Sequence, residues 1–528
     1  MSDTVQKMLL AHAEQDTPGL KSGDRTWSWR EYVAESTARA NAVTEIADPD
    51  RPVHVGLLME NTPEMVMALA AGALGGYVSA GINLTRRGEG LAHDIRKADC
   101  QVLLTDTEHH ALLEGLDLDG VRVIDTDSQE WLDLVTSGRE MTKEHREVDT
   151  SETFMLIFTS GTSGDPKAVQ VANYMAAIAG QMLAQKYELG HDDTCYVAMP
   201  LFHSNAVLSG WSVSVASGAA MGMARRFTAS KFLDDVRRHG ATYMNYVGKP
   251  LAFVLATPAK DDDADNPLKH AFGNEASERD QTEFAERFGC DVWDGFGSTE
   301  TAVIITRDEN TPPGSIGSPF PGVAVYDRVT RQECPRATFD ENGRVTNLDE
   351  AVGELVNTEG AGYFAGYYND EQATNARLDG GMYWSGDLGY RDADGYVYLA
   401  GRTTDWLRVD GENMAAGPIE QILMRHPAVN QVVVYGIPDP HAGDQLMAAM
   451  VLREHTLTPE SLEAFLGEQA DLSPKAWPRF VRIADELPST ATNKVLKREL
   501  VQQATEAGGD TLWVRDERGT AYAAGAPV

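Results

Sequence analysis

Short apolar runs alternate with longer helix-like stretches through the first part of the chain. Val53-His54-Val55-Gly56-Leu57-Leu58, Val102-Leu103-Leu104-Thr105 and Val121-Arg122-Val123-Ile124 read as strands, and Phe154-Met155-Leu156-Ile157-Phe158 as a fully buried one. Asn61-Thr62-Pro63-Glu64 opens a helix, with a cap residue, an early proline and an acid in the first turn. Trp27-Ser28-Trp29-Arg30-Glu31-Tyr32 predicts a helix after a turn. Strands that alternate with helices imply an α/β fold with a largely parallel sheet. The weakly polar stretch Met65 to Ile82 is short for a membrane span and is broken by glycines. It predicts a buried helix running into a strand, so no transmembrane segment is expected.

Past about residue 315 the pattern changes. Glycine and proline become frequent and strands short, as in Gly353-Glu354-Leu355-Val356 and Gly395-Tyr396-Val397-Tyr398-Leu399, which predicts a small β-rich unit. A second boundary falls near Thr403-Thr404-Asp405. Beyond it come a helix (Pro418 to Arg425), a strand (Val429 to Tyr435) and a helix (Pro459 to Gly467), which predict a separate small α+β unit. The expected division is therefore 1–403, with its β-rich part at about 315–403, and 404–528. Lys260 to Asp265 reads as a solvated surface loop.

Charge and cysteine content narrow the function. The 528 residues are too many for one core. A net charge of −35 argues against nucleic acid and anionic membrane surfaces as partners. Any site for an anionic substrate must then carry its own local positive charge. The excess acid is read as solubility or adaptation to salt. Cys100, Cys195, Cys290 and Cys334 lie far apart with no CxxC pair, so there is no zinc signature. They fit a reduced, cytoplasmic compartment. Met1 to Glu14 has no basic segment leading into an apolar core, which is read against a secretory signal.

The chemistry concentrates first in Thr159-Ser160-Gly161-Thr162-Ser163-Gly164-Asp165-Pro166-Lys167, directly after the buried strand. Two glycines free the backbone to wrap an anion, and hydroxyls and a lysine supply donors and charge. The spacing is not that of a Walker A loop, whose lysine follows its second glycine at once. Gly295-x-Gly297-x-x-Glu300 fails the dinucleotide fingerprint on its last glycine, so a nicotinamide enzyme is not expected.

This loop resembles the phosphate loop of the adenylate-forming superfamily of acyl-CoA synthetases, luciferases and peptide-synthetase adenylation domains. Further blocks follow in that superfamily's order: Gly295-Phe296-Gly297-Ser298-Thr299-Glu300, Tyr383-Trp384-Ser385-Gly386-Asp387-Leu388, Gly401-Arg402 with Asp405, and Lys494 near the C-terminus. The resemblance runs from about residue 20 to the end. It implies a large N-terminal part with parallel-sheet α/β subdomains plus a small β-rich one, and a mobile C-terminal domain. The implied chemistry is attack of a carboxylate on the α-phosphate of ATP, with release of pyrophosphate, then transfer of the acyl group to the thiol of coenzyme A.

By resemblance, Thr159, Ser160, Gly161, Thr162, Ser163, Gly164 and Lys167 would cradle the β- and γ-phosphates, and Lys494 would reach the α-phosphate and the attacking carboxylate. Glu300 would bind Mg²⁺, a hard cation that prefers carboxylate oxygen. Phe296 would lie against adenine, Thr299 would touch the adenylate phosphate, and Gly297 and Ser298 belong to the same block. Gly273, Asn274 and Glu275 would contact the adenine edge. Asp387 would take the ribose hydroxyls and Arg402 ribose or phosphate. His203 falls in the block that gates the acyl channel. The acyl pocket would draw on His203, Asn205, Val207, Trp211, Tyr246, Val247 and Gly248. Thr404, Asp405, Gly411 and Glu412 would form the hinge and the approach of coenzyme A.

Three segments resemble one branch, the fatty-acid-transport-protein-like very-long-chain acyl-CoA synthetases: Asn266 to Asn274, Asp405 to Asn413 and Leu512 to Arg518. The expectation is an ATP- and Mg²⁺-dependent acyl-CoA ligase for an apolar, long or bulky acid, with small molecules as partners. A homodimer is among the assemblies the resemblance allows. Alternatives are an acyl-AMP ligase loading a carrier protein, an amino-acid adenylation domain, or an inert nucleotide-binding protein on the same fold. Two positions depart from the superfamily. Thr404 stands where many members have aspartate at the hinge, and Asn493 replaces the glycine before the lysine.

Overall fold

A computed structural model describes residues 3–141, 146–159, 166–341, 343–402, 406–409, 412–439, 443–453, 457–489, 495–506, 508–516 and 519–524. The chain forms two compact units. The first comprises Met1–Ala276, Asp280–Ala302 and Ala361–Arg377; the second comprises Ser277–Arg279, Val303–Gly360 and Leu378–Val528. The β-rich stretch thus clusters with the C-terminal stretch rather than with the residues that precede it.

In the first unit the strands are β1 (Pro18–Ser22), β2 (Arg25–Ser28), β3 (His54–Leu58), β4 (Val78–Gly81), β5 (Val102–Thr105), β6 (Arg122–Asp125), β7 (Thr153–Thr159), β8 (Lys167–Ala172), β9 (Thr194–Val197), β10 (Ala220–Met223), β11 (Tyr243–Val247), β12 (His270–Asn274) and β13 (Asp291–Phe296). They build two sheets. One runs β6-β5-β3-β4-β7-β8, parallel except for the antiparallel β7–β8 pair. The other runs β13-β12-β11-β9-β10-β1-β2, parallel except for β1–β2.

The expected helix after the strand β3 is present as Pro63–Gly75, with Thr62 accepting from the Met65 amide as its cap. Its residues from Met65 to Leu74 are buried all round, which explains why it reads as apolar without being a membrane span. No helix among the described residues is long and apolar enough to cross a membrane. Two readings shift. Trp27 and Ser28 belong to β2 and to a cap, and the helix begins at Trp29, where Ser28 and Glu31 form a capping box. Asp263 does not belong to a solvated loop: it is buried, and its carboxylate pairs with Arg287 Nε at 2.7 Å and accepts from the Lys260 amide at 3.0 Å. A burial of this kind is decided by a partner 24 residues away, which no local pattern reveals.

In the second unit, Val323–Tyr326, Gly353–Asn357, Met382–Arg391 and Val397–Arg402 pair antiparallel, the β-rich character expected of this stretch. The C-terminal stretch holds the helices Ala416–Met424 and Pro459–Glu468. Its central hairpin is Val429–Asp439 with Gly443–Leu452, and Phe480–Ala484 runs parallel to the second of these strands.

Candidate functional site

The end of β7 and the start of β8 hold the first part of the site. Thr159 and Lys167 are antiparallel register partners, so the two ends of the 160–165 segment stand side by side. Ser160, Gly161, Thr162, Ser163 and Gly164 lie outside the described residues. Pro166 closes the loop, and its carbonyl accepts from Lys97 Nζ at 2.9 Å. Burial, together with the Arg377 guanidinium, holds the Lys167 ammonium below the usual lysine range, while Asp370 and Glu300 draw it back.

A segment from far along the chain seals the other edge of β8. Tyr367 bridges Val169, the Tyr368 amide donates to the Ala168 carbonyl at 2.8 Å, and the Gln170 amide donates to the Gly366 carbonyl at 3.0 Å. Gly366 sits at φ 101°, a conformation that excludes most side chains. The result places the Tyr367 ring beside Lys167 Nζ, 5.0 Å from the ring centroid. The Tyr367 hydroxyl donates to Glu300 Oε1 at 2.7 Å and accepts from Arg377 Nε at 3.4 Å. Sequence reasoning missed Tyr367; its only local signal is a glycine followed by paired tyrosines before a helix.

Glu300 is 8% exposed. The next residue, Thr301, adopts φ 53°, and Glu275, directly after the end of β12, adopts φ 65°. Left-handed backbone at non-glycine positions concentrates at functional sites. Phe296 ends β13 half-buried, with Gly297 and Ser298 exposed beyond it. Gly273 must be glycine: a Cβ there would lie 2.4 Å from the Tyr246 ring.

Two consecutive residues tie the 203–205 block to the blocks expected to hold the nucleotide. Ser204 Oγ and Thr299 Oγ1 share a hydrogen bond of 2.9 Å. Asn205 Nδ2 donates to Asn274 Oδ1 and to the Tyr246 carbonyl, each at 3.0 Å. Asn245 Nδ2 donates to Asn205 Oδ1 at 2.7 Å, and Asn274 Nδ2 donates to the Gly295 carbonyl at 2.5 Å. The Tyr246 hydroxyl donates to the Asp294 carboxylate, which also accepts from the Ala276 amide at 2.9 Å. Asn245 and Asp294 thus join the same hydrogen-bonded cluster. His203 precedes them with Nε2 enclosed and without a hydrogen-bond partner among the described residues; burial pushes its imidazole down to about 4.

The residues expected to line the acyl pocket divide. Asn205, Val247 and Gly248 retain partial exposure. Val207 and Trp211 are fully buried within the core, on a π-helical turn from Val207 to Trp211. The Trp211 indole donates to the Tyr32 hydroxyl at 3.0 Å, and its ring stacks on Phe154 at 5.5 Å between centroids. Tyr246 is also fully buried and acts through its carbonyl and hydroxyl. Apolar identity alone cannot separate a pocket wall from a core position.

In the second unit Asp387 is 8% exposed and is the register partner of Arg402 across two antiparallel strands. Asp387, expected to take the ribose hydroxyls, and Arg402, expected to bind ribose or phosphate, therefore stand opposite each other. The Arg402 side chain lies outside the description. Thr404, Asp405, Gly411 and Lys494 lie outside the described residues. Glu412 begins the strand Glu412–Ala415, paired with Val409.

Glu300 fits the expected metal. Its carboxylate offers hard oxygen, with Oε1 already oriented by Tyr367. Mg²⁺ is characteristically held by one or two carboxylates, with waters and substrate phosphates filling its remaining positions.

Two largely parallel sheets, a lysine after a hydroxyl-rich segment and an oriented carboxylate fit a nucleotide-handling α/β enzyme. The chain belongs to the AMP-binding enzyme family: residues 10–368 match that family and residues 418–494 match the AMP-binding enzyme C-terminal domain. A medium/long-chain-fatty-acid–CoA ligase, FadD17, of Mycobacterium marinum is 49% identical over 516 residues, covering 97% of this chain and 99% of the relative. A steroid-22-oyl-CoA synthetase of Rhodococcus jostii is 46% identical over 506 residues, covering 95% and 91%. Among solved structures, the anthranilate CoA ligase AuaEII in complex with anthranoyl-AMP has the same fold. Its TM-score is 0.82 at 21% identity, covering 95% of this chain and 97% of that one.

Proposed function

We propose that this protein is an ATP-dependent, AMP-forming acyl-CoA ligase acting on an apolar carboxylic acid, long-chain or bulky. The observation that carries the reading is the arrangement around Tyr367. The lysine closing the phosphate loop and the Glu300 carboxylate meet on one tyrosine, while the 203–205 block hydrogen-bonds both nucleotide segments. The relatives support the acid class: one is a ligase of medium and long fatty acids, the other a synthetase of a steroid acyl-CoA.

In the first half-reaction, Thr159 to Gly164 and Lys167 hold the β- and γ-phosphates. Phe296 and the Gly273–Glu275 segment hold adenine. Asp387 holds the ribose hydroxyls, and Arg402 the ribose or a phosphate. The acid carboxylate oxygen attacks the α-phosphorus, and the bond to the pyrophosphate oxygen breaks. Lys494 neutralises charge on the attacking and α-phosphate oxygens. This chemistry depends on positioning and charge more than on covalent help. Mg²⁺ on Glu300, when bound, supplies further neutralisation of phosphate charge. In the second half-reaction the coenzyme A thiolate attacks the acyl carbon and AMP leaves.

Thr404 and Asp405 form the swivel between an adenylation part, 1–403, and a mobile C-terminal part, 404–528, with Gly411 and Glu412 on the path of coenzyme A. The two family matches lie on either side of this boundary. The four cysteines are free and buried, which supports a reduced, cytoplasmic setting.

The test is AMP and pyrophosphate release with a panel of acids, with and without coenzyme A. Release of both products that requires an apolar acid, and turnover that requires coenzyme A, is the expected result. Release that never depends on coenzyme A but appears with an acyl carrier protein, or that prefers amino acids, overturns it.

A further inference from the structure

Tyr367 reaches the first unit from a part of the chain otherwise given to the second, carried by the excursion Ala361–Arg377. It is 3% exposed. Each face of the side chain is used. The ring lies beside Lys167 Nζ, the hydroxyl proton goes to Glu300 Oε1, and the hydroxyl oxygen accepts from Arg377. The backbone on either side is locked to β8 by the Gly366 carbonyl and the Tyr368 amide. The Tyr367 backbone therefore cannot shift without disturbing β8, whose first residue is Lys167.

We infer that Tyr367 is a positioning residue that couples the phosphate-loop lysine to the metal-binding carboxylate. Its hydroxyl sets the rotamer of Glu300, leaving the remaining carboxylate lone pairs to meet a metal–nucleotide complex in one orientation. Its ring holds the Lys167 ammonium above it by cation–π attraction. Carboxylates that bind metals are themselves oriented by hydrogen bonds, and loss of such a bond commonly weakens metal binding about tenfold or more. The inference rests on the proposed nucleotide reading of Lys167 and Glu300, but not on which acid is activated.

The experiment is calorimetric binding of ATP, without any acid, over a Mg²⁺ titration, in the wild type, Tyr367→Phe, Glu300→Gln and the double variant. Tyr367→Phe keeps the ring and removes only the hydroxyl. The expected result is a thermal midpoint close to wild type, ATP binding in the absence of Mg²⁺ unchanged, and a Mg²⁺ concentration for half-maximal tight binding raised about tenfold. In the Glu300→Gln background the same substitution should add little, because the shared interaction is already gone. A second variant, Tyr367→Leu, also removes the ring and should weaken ATP binding even without Mg²⁺. An unchanged Mg²⁺ midpoint in Tyr367→Phe, or a full additional shift in the Glu300→Gln background, overturns the inference. Mg²⁺-linked ATP binding by a wild type that releases no AMP with any acid would instead count against the proposed ligase activity, so the two failures are separable.

Discussion

The Asn205 side-chain amide donates to the Asn274 side-chain oxygen at 3.0 Å, joining the expected acyl block to the expected adenine segment. The contact continues through Asn274 to the Gly295 carbonyl, immediately before Phe296. An enzyme that joins a carboxylate to a nucleotide gains from such a link, since effective molarity depends on the relative placement of both reactants.

Asn205→Leu should therefore impair both substrates. It takes the Asn205 donor from the Asn274 oxygen and the Tyr246 carbonyl and the Oδ1 acceptor from Asn245, and an enclosed polar group left without its partner costs about 1–3 kcal/mol. The expected outcome is a fall in kcat/KM of about tenfold to a hundredfold, with KM raised for ATP as well as for the acid. Steady-state kinetics varying each substrate in turn checks it. A change confined to the acid would show that the Asn205–Asn274 bond carries no coupling.

His203 predicts a pH dependence of stability. Its folded-state value is pushed down from 6.5 to about 4 by burial. Between those values the unfolded chain binds the proton and the folded protein does not. This contribution is thus intact above about pH 6.5 and is lost as pH falls toward 4. It amounts to about 2 kcal/mol between about pH 7 and pH 5. Urea midpoints for the wild type and His203→Phe, compared at both pH values, measure it: the variant should lose less stability on acidification. Parallel losses in the two proteins would mean that the imidazole charges freely in the folded state.

Lys494→Ala should abolish acyl-adenylate formation while sparing thioester formation from supplied acyl-adenylate. The reason is that its proposed partners, the α-phosphate and the attacking carboxylate, exist together only in the first half-reaction. Separate assays of pyrophosphate release and of AMP release from the acyl-adenylate test this. Equal loss of both, in a folded variant, would remove Lys494 from the assigned role.

For a homologous series of straight-chain acids, kcat/KM should rise by roughly fourfold per added methylene until the pocket is filled, since each buried methylene is worth about 0.8 kcal/mol. The readout is AMP formation at saturating ATP and coenzyme A. A flat series would contradict an apolar acyl site.

The sequence by itself determined the elements and the chemistry of the loops. The Thr62–Pro63 cap, the strands β3, β5 and β7, the strand after Val429 and the helices of the C-terminal stretch, and the hydroxyl-rich loop ending at Lys167 all follow from local patterns. Propensity, capping and turn chemistry act over a few residues, so they are written in the order of the chain. Only the tertiary structure decided what depends on distant segments. It buried Trp211 and Val207 in the core and paired Asp263 with Arg287. It set Asp387 opposite Arg402, and it returned Ala361–Arg377 to the first unit so that Tyr367 could stand between Lys167 and Glu300. The same tyrosine elsewhere in the chain would read identically. Its role comes from burial beside two charges separated from it by 200 and 67 positions, respectively, in the chain.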